Sequence, residues 1–229
     1  IEPTISRNET NRVEQSRDAL NQYFSNVIEE RRRQPEEDLI SRLVQAEEGG
    51  EKLSHEEMLS LLRLFLIAGN ETTKNLIGNG LLALLHNPGE LERLRSDPSL
   101  MESAVEEMLR FDSPVQVDLR TAVENTLVGG TEMSCGQRVL AVIGAANRDP
   151  EAFSDPNTLD LSRNDRPNMS FGRGIHHCLG APLARLEAAA AFRGMIYGLK
   201  EISLEKAPRF RSQLVLRGVE SLIVKANEF

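Results

Sequence analysis

The chain has 229 residues, of which 40% are hydrophobic and 27% charged, with a formal net charge of -8. That length and balance suffice for a sizeable globular core, and no stretch approaches the roughly 18 uninterrupted apolar residues of a membrane-spanning helix. The acidic balance argues against nucleic acid as a partner: the one basic run, Arg31 to Arg33, is bracketed by Glu29, Glu30, Glu36 and Glu37 and reads as a solvated helix face.

The opening IEPTISRNET carries neither the basic nor the apolar region of a secretory signal, so the cytoplasm is the expected location. Residues 12–34 set Val13, Leu20, Phe24, Val27 and Ile28 at a helical period that halts before Pro35, and residues 36–47 predict a shorter helix. After a turn at Gly49-Gly50, Ser54 and Glu57 stand three apart as a capping box. They open an apolar pattern that lasts to His86, about 48 Å of helix at 1.5 Å per residue. In its middle lies Ala68-Gly69-Asn70-Glu71-Thr72-Thr73, a poor helix interior, where glycine alone costs up to about 1 kcal/mol. A threonine hydroxyl bonding its i-4 carbonyl, here Thr72 to Ala68, loosens the helical ladder, and a local kink is expected.

Pro88 and Pro98 suit first helical turns, with Asp97 as the cap of a helix ending near Phe111. The texture then changes. QVDLRTAV, NTLV, TEMS and RVLAVIG are short and rich in valine and threonine, separated by Gly129-Gly130 and Cys135-Gly136, and predict a small sheet. Residues 147–168 are polar and without period; SFGRGIHHCLGAPLARLEAAAAF follows, predicting a helix to about Leu199, and two or three short strands close the chain. The expected fold is mainly α, of the α+β type, as one unit over residues 1–229.

Only two cysteines occur, Cys135 and Cys178, which excludes a disulfide framework and a four-thiolate zinc site. By residue type alone, Cys178 reads as a buried apolar thiol. Its surroundings offer another reading. Gly172, Gly174 and Gly180 permit backbone conformations closed to other residues, and Pro182 suits the first turn of a helix whose free amides and dipole favour a thiolate. Zinc fits poorly, because His176, His177 and Cys178 are adjacent and only His55 and His86 remain elsewhere. A cysteine hydrolase needs a base and an orienting group that the sequence does not indicate. Haem is a third candidate, for which a single thiolate is a complete protein ligand set.

Phe171-Gly172-Arg173-Gly174-Ile175-His176-His177-Cys178-Leu179-Gly180 resembles the cysteine-ligand loop of the cytochrome P450 monooxygenases, with the Phe-x-x-Gly-x-x-x-Cys-x-Gly spacing intact. Glu107-Met108-Leu109-Arg110 resembles the family's Glu-x-x-Arg helix, and Ala68 to Thr73 its oxygen-binding helix segment. The resemblance implies haem b, with Cys178 as the iron ligand and Phe171, Gly172 and Gly180 shaping the loop. It assigns the haem propionates to His176 and Arg120, and the acid-alcohol pair for proton delivery to Glu71 and Thr72. Small Ala68 and Gly69 would let the flat macrocycle lie against the helix. Leu64, Ile67, Val115, Gln116 and Val117 match segments that approach substrate, and Arg163 is the best match for an arginine that joins Glu107 and Arg110 in locking the cysteine loop. Asn168 departs from the histidine of many relatives.

The implied activity is insertion of one oxygen atom from dioxygen into a small hydrophobic organic substrate, with electrons from a ferredoxin-type or flavoprotein donor. The alternative is a catalytically incompetent fragment or a nonenzymatic scaffold of the same family. The resemblance covers essentially the whole chain but only the C-terminal portion of the family's length. A piece that associates with a partner chain, or folds marginally alone, is therefore expected.

Overall fold

A computed structural model of the chain describes residues 7–48 and 53–228. Two compact units make it up, one reaching Asn70 and the other beginning at Glu71. The turn expected at Gly49-Gly50 lies outside the described residues.

The first unit contains α1 (Arg7–Arg33), α2 (Leu39–Glu48) and the N-terminal part of α3 (His55–His86). Its apolar stripes meet in a core of Phe24, Ile28, Val44, Met58, Leu59 and Leu62. Helix α2 starts later than its periodicity suggests, because Asp38 takes the capping position and accepts the Ser41 amide at 2.7 Å. The other Asp38 oxygen meets Arg31 Nε at 2.5 Å, fastening the end of α1 to the start of α2. At the head of α3 the capping box forms, with the Ser54 amide donating to Glu57 Oε2 at 2.8 Å and the Glu57 amide to Ser54 Oγ at 3.3 Å. The α-helix then continues unbroken through the weak stretch from Ala68 to Thr73.

In the second unit the remainder of α3 is followed by α4 (Pro88–Ser96), a 3₁₀ turn at Pro98–Leu100, α5 (Met101–Phe111) and, later, α7 (Ala181–Gly198). Asp97 caps the 3₁₀ turn, accepting the Ser99 amide, rather than α5 directly. Leu76, Leu84, Leu94, Met101, Met108, Leu161, Phe192 and Ile196 fill the core. Gly80 is what lets α3, α5 and α7 approach: a Cβ there would lie 2.6 Å from the Phe192 ring and 2.7 Å from Met108 Sδ.

The sheet component is four separate two-stranded antiparallel ladders. Strand β1 (Asp118–Thr121) pairs β4 (Arg138–Ala141), and β2 (Thr126–Val128) pairs β3 (Thr131–Met133), so the expected small sheet is two ladders. RVLAVIG leaves the extended conformation after Ala141 to enter α6 (Ile143–Ala146), because the Gly144 amide is taken by Gln116 O at 3.1 Å. Four strands close the chain instead of two or three: β5 (Leu199–Leu204) with β8 (Val224–Glu228), and β6 (Arg209–Phe210) with β7 (Val219–Ser221). Two residues of β6 carry no readable period. Among the described residues no helix is long and apolar enough to cross a membrane.

Candidate active site around the cysteine loop

Helix α5 supplies the foundation. Spacing of three puts Glu107 and Arg110 on one face, and both are 2% exposed. Arg110 grips the carboxylate with a fork, Nε to Oε2 at 2.7 Å and Nη2 to Oε1 at 2.8 Å. From the irregular segment after α6, Arg163 Nε donates to the same two oxygens at 3.2 and 3.1 Å, and the Asp160 amide adds a bond to Oε1 at 3.0 Å. The spare Arg110 donors hold the carbonyls of Asn147 and Pro156 at 2.9 Å and of Thr158 at 3.2 Å. One buried charge cluster thus secures a segment that has no ladder of its own.

The hold extends to the cysteine loop through residues that sequence reasoning missed. Fully buried Asn147 donates to Ser113 Oγ at 2.7 Å and Ser170 Oγ at 2.9 Å, and accepts the Met169 amide at 2.7 Å. Ser170 Oγ donates onward to Leu109 O at 2.8 Å. Asn168 bridges Glu106 Oε2, at 3.0 Å, and the Ser170 amide, at 3.0 Å. Arg185 of α7 pairs with Glu106 and lies 4.5 Å over the Phe171 ring. The Arg185 pKa is raised above its ordinary value, first by the Glu106 hydrogen bond and more weakly by Cys178. Isolated polar residues have no periodic signature, and only their convergence gives them meaning.

The loop itself turns on two glycines in the left-handed region, Gly172 at φ +66° and Gly174 at +77°. The Cys178 amide closes it on Phe171 O at 2.9 Å, and Pro182 sits in the first turn of α7. Gly180 departs from the expectation: its φ of -81° is open to any residue, so no backbone strain calls for glycine there. Cys178 is exposed, which sets aside the buried-thiol reading, as are His176, Ile175 at 98% and Leu179 at 81%. Among the described residues no group of three or more His, Cys, Asp or Glu side chains is placed to hold a metal ion, so zinc gains no support.

Half-buried Glu71 and Thr72 lie on α3. Lys74 Nζ reaches Glu71 Oε1 at 2.6 Å, and Arg211, just after β6, reaches Oε2 at 2.6 Å. These partners, Lys74 first, hold the Glu71 carboxyl below its ordinary pKa. Arg120 lies exposed on β1, paired with Asp118 at 2.5 Å. Val115 bridges Leu216, Val117 is 8% exposed, and Gln116 turns inward to donate to Ser113 O at 2.6 Å. Leu64, Ile67, Ala68 and Gly69 are exposed on the part of α3 in the first unit, with open space where a Gly69 Cβ would stand.

A family model described as Cytochrome P450 matches residues 3–199. The polyketide biosynthesis cytochrome P450 PksS of Bacillus subtilis (strain 168) is 45% identical over 210 residues, 90% of this chain and 52% of that protein. The cytochrome P450 monooxygenase PikC of Streptomyces venezuelae is 41% identical over 208 residues, 89% of this chain and 50% of that protein. The crystal structure of P450BioI in complex with acyl carrier protein ligated to hexadec-9Z-enoic acid matches with a TM-score of 0.95 at 39% identity, over 99% of this chain and 58% of that chain. The chain spans about half the length of these curated relatives. With the glycine-turned cysteine loop, the buried Glu107-Arg110-Arg163 cluster and a match over most of its length, the chain belongs to the cytochrome P450 family.

Proposed function

We propose that this chain carries the thiolate loop and proton-delivering helix segment of a haem-thiolate monooxygenase, acting on a small hydrophobic organic substrate. The observation that carries the reading is an exposed thiol, Cys178, at the N-terminus of an 18-residue helix, on a loop anchored by a buried ion cluster. The donor set fits haem: one thiol suffices as protein ligand, and exposed Ile175 and Leu179 offer apolar flanks to a macrocycle. Haem b is the expected form, because neither cysteine stands in the two-cysteine spacing of covalent attachment. His176 and Arg120 are the proposed propionate partners, Phe171 and Gly172 shape the loop, Gly180 keeps the space beside Cys178 Sγ free of a side chain, and Arg120 would exchange Asp118 for its propionate.

When bound, haem supplies the redox activation of dioxygen, with two electrons from a ferredoxin-type or flavoprotein donor. Cys178 Sγ would supply the protein ligand to the iron from the loop just ahead of α7. Thr72 would present its hydroxyl as a hydrogen-bond donor to the bound reactants, and Glu71 would pass protons to it. Because Lys74 and Arg211 keep Glu71 ionised at neutral pH, its resting form is the proton acceptor. The substrate-facing role of Leu64, Ile67, Val115, Gln116 and Val117, the contact of Ala68 and Gly69 with the macrocycle, a cytoplasmic location, and a single haem domain spanning the chain belong to the same proposal.

The test is the spectrum of the haem-loaded, reduced protein with carbon monoxide. The thiolate signature is expected to vanish in Cys178→Ala and to survive in Cys135→Ala. Its survival in Cys178→Ala overturns the reading.

A further inference from the structure

Arg185 stands in the second turn of α7, and its guanidinium lies 4.5 Å over the Phe171 ring. Phe171 is tied directly to the cysteine, because its carbonyl accepts the Cys178 amide at 2.9 Å. Two further residues hold the guanidinium in place. Nε donates to Glu106 Oε1 and Nη2 to Oε2 at 3.2 Å, a two-point fork. Asn168 braces the carboxylate, with Nδ2 donating to Glu106 Oε2 at 3.0 Å and to the Glu106 carbonyl at 3.3 Å. Asn168 Oδ1 accepts the Ser170 amide at 3.0 Å, which joins the brace to the residue next to Phe171.

The Arg185 and Glu106 side chains are each 41% exposed, and ion pairs so open to water add little to fold stability. What the fork and the brace do is fix a positive charge against the ring that adjoins Cys178. The Arg185 pKa is raised by the Glu106 hydrogen bond first, and also by the Cys178 thiolate, so guanidinium and sulfur feel each other's charge. Such a coupling is reciprocal, and the charge on Arg185 favours negative charge at Cys178. The opposite charge on Glu106 offsets part of that effect.

We propose that Arg185, held over Phe171 by Glu106 and Asn168, is a positioning residue that raises the reduction potential of the haem iron from the cysteine side, with Glu106 moderating it. The inference rests on the haem-thiolate reading above. Reduction takes one electron from the ferredoxin-type or flavoprotein donor, breaks no bond, and adds one negative charge to the iron and its ligands. A fixed positive charge near Cys178 favours that reduced form, and a negative one disfavours it. The two members of the pair therefore pull the potential in opposite directions. A purely structural pair would not, since removing either member would loosen the same loop in the same way.

Two measurements decide it. In the haem-free ¹⁵N-labelled chain, the Arg185 Nε proton is expected to show an upfield ring-current shift that disappears in Phe171→Leu. A folded parent without that shift overturns the stack. In the haem-loaded chain, the potential is read by dye-mediated equilibrium reduction with no redox partner present, so docking cannot contribute. At the parent's midpoint, Arg185→Gln is expected to lower the ratio of reduced to oxidised protein by about three- to tenfold, tenfold being about 59 mV for one electron. Glu106→Gln is expected to raise that ratio, and Arg185→Lys, which keeps the charge, to restore most of the loss. Both shifts should shrink as salt is added, because the pair is open to solvent. Unchanged potentials, or shifts of the same sign in both glutamine variants, overturn the inference. Should Arg185→Gln lose the thiolate spectrum, Glu106→Gln decides alone, and a fall or no change there overturns it. A parent without a thiolate spectrum refutes the haem reading and this inference together, whereas a thiolate spectrum with unmoved potentials refutes this inference only.

Discussion

Glu107→Gln is the sharpest perturbation of the anchor beneath the cysteine loop. The substitution preserves shape and volume but removes the negative charge that faces two guanidinium groups, Arg110 at 2.7 Å and Arg163 at 3.1 Å. Arg110 is 2% exposed, so its charge cannot turn to water. Breaking one partner out of a buried ion pair costs about 3–5 kcal/mol, because the remaining charge stays desolvated and unpaired. A glutamine NH₂ in place of one carboxylate oxygen also points a donor at donors. In a chain of this size each kcal/mol shifts the midpoint by roughly 2–4 °C, so the melting temperature should fall by about 6–20 °C. Thermal unfolding followed by circular dichroism measures it, with the exposed Glu132→Gln as a control expected to stay within about 0.5 kcal/mol of the parent. A Glu107→Gln midpoint indistinguishable from that control refutes the reasoning. Hydrogen exchange at the Asp160 amide gives a local check, since this bond goes to the substituted carboxylate and should lose protection.

Gly80→Ala should destabilise by about 1–3 kcal/mol despite alanine's better helix propensity, because its Cβ meets the Phe192 ring and Met108 Sδ; denaturant unfolding of a stabilised variant would contradict the packing. Asp38 has its pKa lowered from 3.8 to about 2, chiefly by the Arg31 hydrogen bond. Its stabilising contribution is therefore complete above 3.8 and lost as pH falls through about 2. The stability gap between the parent and Asp38→Asn should close over that window, and a gap unchanged at its lower end rules the linkage out. Leu179, Leu183 and Leu186, at 81%, 58% and 68% exposed, predict self-association of the chain; sedimentation equilibrium giving 25.5 kDa at every concentration would exclude it.

The sequence alone determined the elements whose information is local. Periodicity read the long α3 to within a residue of its ends, since Ser54 and Glu57 form the capping box they spell and Pro88 prevents continuation. The cysteine loop was legible from spacing, because glycine at positions 172 and 174 is what left-handed backbone requires. Glu107 and Arg110, three apart, read by spacing alone as an ordinary helix pair and stood out only through the family resemblance. Tertiary structure alone decided what those residues meet. Nothing local predicts that Asn147 links Ser113 to Ser170, or that the two-residue strand β6 leads into Arg211 and its ion pair with Glu71. The end of the RVLAVIG strand at Ala141 was set by a distant carbonyl, Gln116 O, and the ordinary backbone at Gly180 by the start of α7. Helix periods and turn glycines are properties of neighbouring residues along the chain. Buried polar convergence is a property of residues brought together only by folding, where low dielectric gives each bond its weight.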